Sequence, residues 1–180
     1  VSAKPPVYVK TPAEIFGNPL YLGSPASPQY GPMDLDISSL INSLRAGAIR
    51  VTTDLDDPVF GSSTNYVTVF SDTYHPVVDN QSNPENVNGL VFDDANGYGT
   101  LLVEGDLRLQ ETINWHGLIL VSGLLTYAGE DDQQVKIRGA VIANQTNDLT
   151  GYVDIKYDSC QVAKALADKP LQVRKWKERS

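Results

Sequence analysis

Residues that carry chemistry are scarce in this sequence. Among its 180 residues there is one cysteine, Cys160, and there are two histidines, His75 and His116. A single cysteine cannot form a disulfide within the chain, and these residues match no zinc-ligand spacing. No serine lies in a Gly-x-Ser-x-Gly context, and no glycine-rich phosphate loop is present. We therefore expect a protein that is not an enzyme, with no catalytic residues and no cofactor apart from the calcium considered below.

Long apolar runs are also missing. No stretch approaches the roughly 18 consecutive apolar residues that a membrane-spanning helix needs, and no signal-peptide pattern occurs. The chain opens with Val-Ser-Ala, and its only methionine is Met33. These two facts lead us to expect that an N-terminal segment, such as a membrane anchor, precedes Val1 in the full-length protein.

Charge is distributed unevenly along the chain. The formal net charge is -8, yet residues 164–180 carry six basic residues against Asp168 and Glu178. An acidic body does not suit a protein that neutralises phosphates, so we predict no nucleic-acid partner. The basic tail is expected to pack on the acidic body or to remain solvated.

An internal repeat organises the region from residue 98 to residue 127. When the sequence is laid over itself with an 18-residue offset, a set of glycine and aliphatic residues falls on an equivalent set. Gly99, Leu102, Val103, Gly105 and Leu107 fall on Gly117, Leu120, Val121, Gly123 and Leu125. A third copy begins at Gly139 and a fourth at Gly151. Repeats of about 20 residues, in which aliphatic runs are closed by glycines, are typical of β-solenoids.

We predict a mostly β fold: a parallel β-helix, or β-solenoid, of short coils with an α/β N-terminal part and short capping helices. Strands of successive coils would lie about 4.8 Å apart with apolar side chains inside. Gly105 and Gly123 should share a corner where a left-handed or cramped backbone excludes a Cβ atom. An antiparallel meander fits the same pattern, because periodicity does not fix strand direction. The predicted strands are 101–103, 107–109, 118–121, 124–127, 141–143 and 153–157.

Residues 1–89 are predicted to form an extended N-terminal segment that packs on the core. The first 33 residues hold seven of the eleven prolines, which favours extended chain and turns. Apolar residues at helical spacing then predict a helix at 36–46, with Asp36 as its N-cap and Gly47 as its stop. Strands are expected at 48–53 and 65–71, followed by a long polar loop from His75 to Asn96.

Residues 90–158 are predicted to hold the solenoid repeats, and residues 159–180 a capping helix followed by a strand or arm. Asp158 and Ser159 are residue types that cap helices, so the helix should run from about Cys160 to Ala167. We expect the Cys160 side chain to lie in an apolar contact at the start of this helix.

Acidic clusters give the only indication of a metal site. Asp93, Asp94 and Asn96 could supply some of the six to eight oxygen ligands that calcium requires. Their spacing matches neither an EF-hand loop nor a glycine-rich calcium-binding repeat. These three residues are calcium candidates, and solvated turns are the alternative.

Two groups of residues are candidates for a carbohydrate-active site, because parallel β-helices also house such enzymes. Glu104, Asp106 and Arg108 alternate along the sequence as if on one outward face, where an ion-pair ladder is the alternative. Trp115 and Tyr127 could flank a sugar-binding groove, or they could cover the end of a core. No convergent carboxylate pair is evident.

The repeat region resembles the C-terminal region of PilX-like type IV pilus assembly proteins. The similarity covers roughly residues 90–180. It lies in ordered blocks, which are Gly99 to Leu109, Ile113 to Gly123, Ile137 to Ala143, Val153 to Cys160 and the closing Leu171 to Glu178. The solenoid pattern is also similar to that of bactofilins, which lack an equivalent of the N-terminal half.

The resemblance to pilus assembly proteins implies a minor pilin or pilus-associated role outside the cytoplasmic membrane, at the periplasm or cell surface of a bacterium. Members of such a family carry an N-terminal hydrophobic helix that anchors them in the inner membrane. The expected partners are other pilus proteins. Two alternatives remain open: a carbohydrate-active or glycan-binding β-helix, and a self-polymerising scaffold like the bactofilins.

Overall fold

The computed structural model describes residues 35–72, 89–128, 133–146 and 152–169, together with four short strands between residues 8 and 30. Contacts divide the chain into two compact units, Val1–Asp36 and Ile37–Ser180. The sequence predicts a boundary near residue 89. Contacts instead group residues 37–72 with the solenoid that follows them.

Two small strand pairs are described in the first unit. β1 (Tyr8–Val9) pairs in parallel with β4 (Gln29–Tyr30), and β2 (Leu20–Tyr21) pairs antiparallel with β3 (Ser24–Pro25). Pairs this short fit a proline-rich sequence, because proline has no backbone N–H to donate to a strand ladder.

The described residues of the second unit form ten strands and two helices. In chain order they are α1 (Ile37–Leu44), β5 (Ile49–Arg50), β6 (Leu55–Asp56), β7 (Val59–Phe60), β8 (Val67–Ser71), β9 (Gly89–Asp93), β10 (Asn96–Val103), β11 (Asp106–Gln110), β12 (Ile113–Ala128), β13 (Gln134–Thr146), β14 (Tyr152–Tyr157) and α2 (Ser159–Ala165). Every pairing between these strands is parallel. The result is a β-solenoid of about four turns, which confirms the predicted fold class and excludes the meander.

Each coil has three sides, defined here by the strands that stack on one another. Side A contains β5, β8 and residues 99–103, 117–121 and 139–143. Side B contains β6, β9, β11 and residues 124–128 and 145–146. Side C contains β7, the first residues of β10, β12 and β13, and the whole of β14. The chain visits the sides in the order A, B, C and then repeats.

The six strands predicted in the repeats lie within observed ones, but the sequence missed most of side C. Of the two strands predicted before the repeats, 65–71 contains β8, whereas 48–53 is strand only at β5. The segment Asn96-Gly97-Tyr98 at the start of β10 has no apolar alternation, although it pairs along its length with β12. The predicted loop from His75 to Asn96 is also too long, because Gly89–Asp93 is strand β9. The first part of that loop, residues 75–88, lies outside the described residues.

Apolar side chains form columns inside the coils, each column following one position from coil to coil. Side A contributes Val69, Leu101, Ile119 and Val141, side B contributes Leu90, Leu107 and Leu125, and side C contributes Ile113, Val135 and Val153. These residues belong to one cluster, whose fully buried members include Leu101 and Ile119. Stacked identical positions explain why the sequence repeats.

A column of glycines marks the corner between sides C and A. Gly99, Gly117 and Gly139 pair in register and have φ angles of 141°, 137° and 150°, which side-chain-bearing residues rarely adopt. A Cβ atom on Gly117 would lie 2.0 Å from the carbonyl oxygen of Gly99. The three predicted repeat starts are thus confirmed, and the carbonyl of each coil occupies the place of a side chain on the next.

The fourth predicted repeat, starting at Gly151, is wrong. Tyr157 pairs with Gly139, and Val153 pairs with Val135 on side C. The 12-residue spacing from Gly139 to Gly151 was too short for a complete coil. β14 therefore supplies one side only, and the Asp158 amide donates to the Gly139 carbonyl (3.1 Å) as the chain leaves the coils.

The second predicted corner, at Gly105 and Gly123, is confirmed. The Gly123 amide donates to the Gly105 carbonyl over 2.9 Å, so the two residues lie one coil apart. A Cβ atom on Gly123 would lie 2.6 Å from that carbonyl oxygen, and Gly105 has a φ of 126°. Each position excludes a side chain, but for a different reason: crowding at Gly123 and backbone conformation at Gly105.

Both helices lie against the outer surface of side A rather than across the ends of the coils. The buried face of α1, formed by Ile37, Ile41 and Leu44, packs in one cluster with Phe70 and Leu102. The apolar spacing predicted this helix, and Gly47, with a φ of 73°, lies in the turn after it. Among the described residues, no helix has the length and apolar character needed to cross a membrane.

Helix α2 is held against the same side by polar contacts. Asp158 is its N-cap, as predicted, and accepts from the amides of Cys160 (2.9 Å) and Gln161 (3.1 Å). The buried Thr100 hydroxyl donates to the Ala165 carbonyl over 3.0 Å. Cys160 is exposed, so the prediction that it lies in an apolar contact is wrong, because the N-terminal turn of α2 presents it to solvent.

The glycine column predicts a sharp contrast between two glycine-to-alanine substitutions. Gly117→Ala should destabilise the protein by about 3 kcal/mol or more, because the new Cβ collides with backbone. Gly47→Ala has open space around it and should cost only about 1 to 2 kcal/mol of left-handed strain. Urea unfolding of the two variants measures the difference, and equal losses would contradict the packing role of the column.

Candidate functional site

Carboxylates stack at the corner that follows side B. Asp57, Asp94 and Glu111 come directly after β6, β9 and β11, and all three have left-handed φ angles, of 52°, 49° and 53°. Asp56 pairs in register with Asp93. We call these five residues the acidic corner.

Three carboxylates of the acidic corner come close together. Oxygen atoms of Asp93, Asp94 and Glu111 lie within 4.8 Å of one another. The hydrogen bond between Glu111 and Asp94 raises the pKa of Glu111, and the negative charge of Asp93 raises it further. The Asp93 Oδ1 atom is buried and has no hydrogen-bond partner among the described residues. The cluster thus stores electrostatic repulsion that a proton or a cation would relieve.

The predicted calcium ligands are only partly brought together. Asp93 and Asp94 do converge, but their third neighbour is Glu111, whereas Asn96 pairs with Asn114 on side C. The 18-residue repeat offset does not identify the neighbour of Glu111, because β9 pairs with β11 at an offset of 17 residues, with Asp93 on Gln110. The residue one coil from Glu111 is therefore Asp94. Three carboxylates supply part of the six to eight oxygens that calcium needs, so calcium binding here stays a prediction.

The proposed acidic row Glu104, Asp106 and Arg108 is not on one strand. Glu104 lies in the turn before β11, whereas Asp106 and Arg108 belong to the strand. The Asp106 Oδ1 atom accepts a hydrogen bond from the Leu124 amide over 2.7 Å. This aspartate therefore links two coils.

The aromatic residues considered as a sugar platform are in the core. Trp115 and Tyr127 are each 1% exposed. The Trp115 ring lies over Gly97, where an added Cβ would meet it at 2.1 Å, and its Nε1 donates to the Gly99 carbonyl (3.2 Å). A groove flanked by these two side chains is therefore excluded.

An aromatic ladder runs along the outer surface of side C. The Tyr98 and His116 rings stack with centroids 4.5 Å apart, and Tyr66 packs edge-on against Tyr98 at 5.8 Å. The Tyr66 hydroxyl donates to Gln161 of α2. Burial lowers the pKa of His116, and nearby Arg138 lowers it further. The ladder joins α2 to the coils, which is a structural role.

Exposed large apolar side chains of the second unit are confined to its first and last coils in the part of the chain that the structure describes. Ile49 and Val59 lie on the first coil, and Tyr152, Ile155 and Tyr157 lie on β14. We call β5, β6 and β7 the first edge and β14 the last edge. Each of these strands pairs on one side only within the described residues. Sequence reasoning missed both edges, because nothing in a repeat shows which copies are terminal.

Removing the charge of Glu111 should stabilise the protein in a pH-dependent way. Because folding raises the pKa of Glu111, the folded state binds more protons than the unfolded chain at pH values between the unfolded-state and the folded-state pKa. The free energy of unfolding therefore falls as pH rises through that range. Glu111→Gln should therefore raise the urea midpoint at pH 7, with EDTA present, and change it less at pH 3.5.

Glu104→Gln is the matched control, since it removes a carboxylate but leaves the three-residue cluster intact. An equal shift for Glu111→Gln at both pH values would contradict the repulsion. Repeating the pH 7 measurement with calcium tests the calcium prediction, which requires a rise in the wild-type midpoint that Glu111→Gln reduces.

No family model, curated protein or solved structure matches the chain significantly, so what can be concluded about its function comes from the residues and geometry above.

Proposed function

We propose that this chain is a non-enzymatic interaction module of a type IV pilus assembly machine, and that it works through the two edges of its solenoid. The observation that carries this proposal is the apolar last edge. β14 exposes 57% of Tyr152, 44% of Ile155 and 73% of Tyr157 beside a strand edge that has no partner in the described part of the chain. Such an edge is suited to binding another strand through main-chain hydrogen bonds, with side chains giving specificity.

The sequence resemblance to PilX-like proteins supports the pilus part of the proposal. Its first four blocks correspond to consecutive parts of one structure, namely β10 with β11, the first two sides of β12, the middle of β13, and β14 with the start of α2. The resemblance thus extends over the corners and the strands of the repeats together. The closing block, from Leu171 to Glu178, lies outside the described residues.

The last edge also has features that keep an isolated molecule from aggregating. Charged side chains on an exposed strand discourage indiscriminate pairing. On β14 these are Lys156 and Asp154, and Asp154 is paired with Arg138 of the preceding coil. An apolar edge that also carries charged side chains favours binding of a specific partner over non-specific aggregation.

The carbohydrate-active alternative lacks its central element. A sugar-binding groove requires aromatic faces that are open to the ligand. The two large aromatics considered for it, Trp115 and Tyr127, instead fill the core.

In the pilus proposal, the module lies in the periplasm or at the cell surface, held by an inner-membrane anchor in the full-length protein.

Piliation of the bacterium that makes this protein tests the proposal. Deleting the gene should remove or strongly reduce surface pili, and the wild-type gene should restore them. Ile155→Lys should fail to restore pili, because a charge buried at the last edge opposes binding. Electron microscopy and the pilin content of sheared surface fractions give the measurement.

Asn42→Lys provides the control, because it adds the same charge at an exposed position on α1, outside the strands that form the two edges. It should restore pili as well as the wild type. Normal piliation in the deletion strain would contradict the pilus role.

A further inference from the structure

We propose that the last edge of one molecule binds the first edge of a second copy, so that the solenoid continues from molecule to molecule. This inference rests on the proposed interaction role of the edges, and it names their partner. It does not depend on the pilus assignment. Three features of the second unit support it: the order of the sides, the open apolar columns and the position of the helices.

The order of sides is continuous across such a contact. The first edge begins on side A with β5, and the coils end on side C with β14. Because the chain visits A, B and C in turn, the side that would follow β14 is side A. A second copy that begins with its own β5 supplies that side.

Apolar columns are open at both ends and match in register. On side C, Phe60, Gly97, Trp115, Ile137 and Ile155 occupy one column, which ends with Ile155 44% exposed. Phe60 of a second copy would extend it.

The same continuity holds on side A. Ile49, at the bottom of the column that ends in Val141, is 48% exposed. Ile49 of the second copy would lie over Val141 of the first. Contact between copies thereby covers apolar surface that the single molecule leaves in water.

The two helices leave both ends of the coils accessible. α1 and α2 contact β10, β12 and β13 on the outside of side A. Beyond residue 139, β13 pairs only with β12 in the described part of the chain, so its other edge is available on sides A and B. A second copy would meet strand edges on all three sides.

The contact joins two different surfaces of the same molecule, so it is heterologous and can repeat without closing. In a parallel stack, the first strands of the second copy would lie one strand spacing, about 4.8 Å, from the last strands of the first copy. In register, Val59 of the second copy would lie beside Asp154 of the first, since both occupy the outward column through Asn96, Asn114 and Lys136.

Sedimentation of the purified chain over a concentration series tests the association. The wild type should form oligomers whose mean mass grows with concentration. Ile49→Lys on the first edge and Ile155→Lys on the last edge should each weaken association about tenfold or more, because both positions belong to inward columns and either lysine is buried by the contact. Ile49 is 48% exposed in the single molecule, so a lysine there can reach water until a second copy covers it. Asn42→Lys, the same charge on α1, should behave as the wild type.

Mixing the two edge variants tests the head-to-tail geometry. Each variant alone should remain monomeric, because one of the two required surfaces is blocked. A one-to-one mixture should form dimers and nothing larger, since Ile49→Lys keeps a working last edge and Ile155→Lys keeps a working first edge. Dimers formed by either variant alone would indicate a like-to-like contact and would overturn the proposal.

A cysteine pair tests the register. Val59→Cys and Asp154→Cys, combined with Cys160→Ser, place thiols at opposite ends of one molecule, four strand spacings or about 19 Å apart. A disulfide requires Cα atoms within about 7 Å, so no bridge can form within a single copy. Oxidation should give a ladder of dimers, trimers and longer species on a non-reducing gel.

Asn42→Cys with Val59→Cys is the control pair and should give no ladder. A wild type that stays monomeric at every concentration, together with no ladder from the cysteine pair, would refute contact between copies. Loss of pili in the Ile155→Lys strain alongside that result would leave the proposed function standing with a different partner. Oligomers in solution, together with normal piliation in the deletion strain, would support the contact between copies and refute the pilus role.

Discussion

The backbone contact at the glycine column is the constraint on which the rest of the solenoid depends. At Gly99, Gly117 and Gly139 the carbonyl oxygen of one coil occupies the space that a side chain would take on the next. Coils can therefore stack at strand spacing while the chain turns sharply from side C to side A. This close approach keeps the columns of sides A and C in register, and it lets α2 lie near the corner, where Ala165 would contact a Cβ on Gly117.

The same constraint explains how the solenoid ends. In the register that continues the column, the position after Gly139 is occupied by Tyr157, which carries a side chain where the three preceding coils have glycine. The chain leaves the coils at Asp158. Its amide donates a hydrogen bond to the carbonyl of Gly139, the last glycine of the column, and its carboxylate caps α2. One residue thus satisfies the final coil and starts the helix that covers its flank. The core column on side C is left with Ile155 half exposed.

Sequence alone predicted the parts of the fold that repeat, because each coil has the same pattern of apolar residues. Leu102 and Leu107 fell on their observed partners Leu120 and Leu125, and the spacing of Ile37, Ile41 and Leu44 gave α1. Side C was missed because its outward positions hold tyrosine, histidine and asparagine, which resemble loop residues. Only part of the acidic corner was predicted. Asp93 and Asp94 are adjacent in sequence, but Glu111 comes close to them only because the coils stack.

The helices show why the ends of the coils could not be assigned from the sequence. An amphipathic helix beside a repeat suits a cap over the end as well as a cover on the side, since both bury an apolar stripe. What decides between them is the outer surface of side A, where Phe70, Leu102 and Leu120 face outward and require cover. Once α1 and α2 are used there, the described residues provide no helix for either end. The exposed apolar residues at both ends are therefore the direct consequence of an apolar flank.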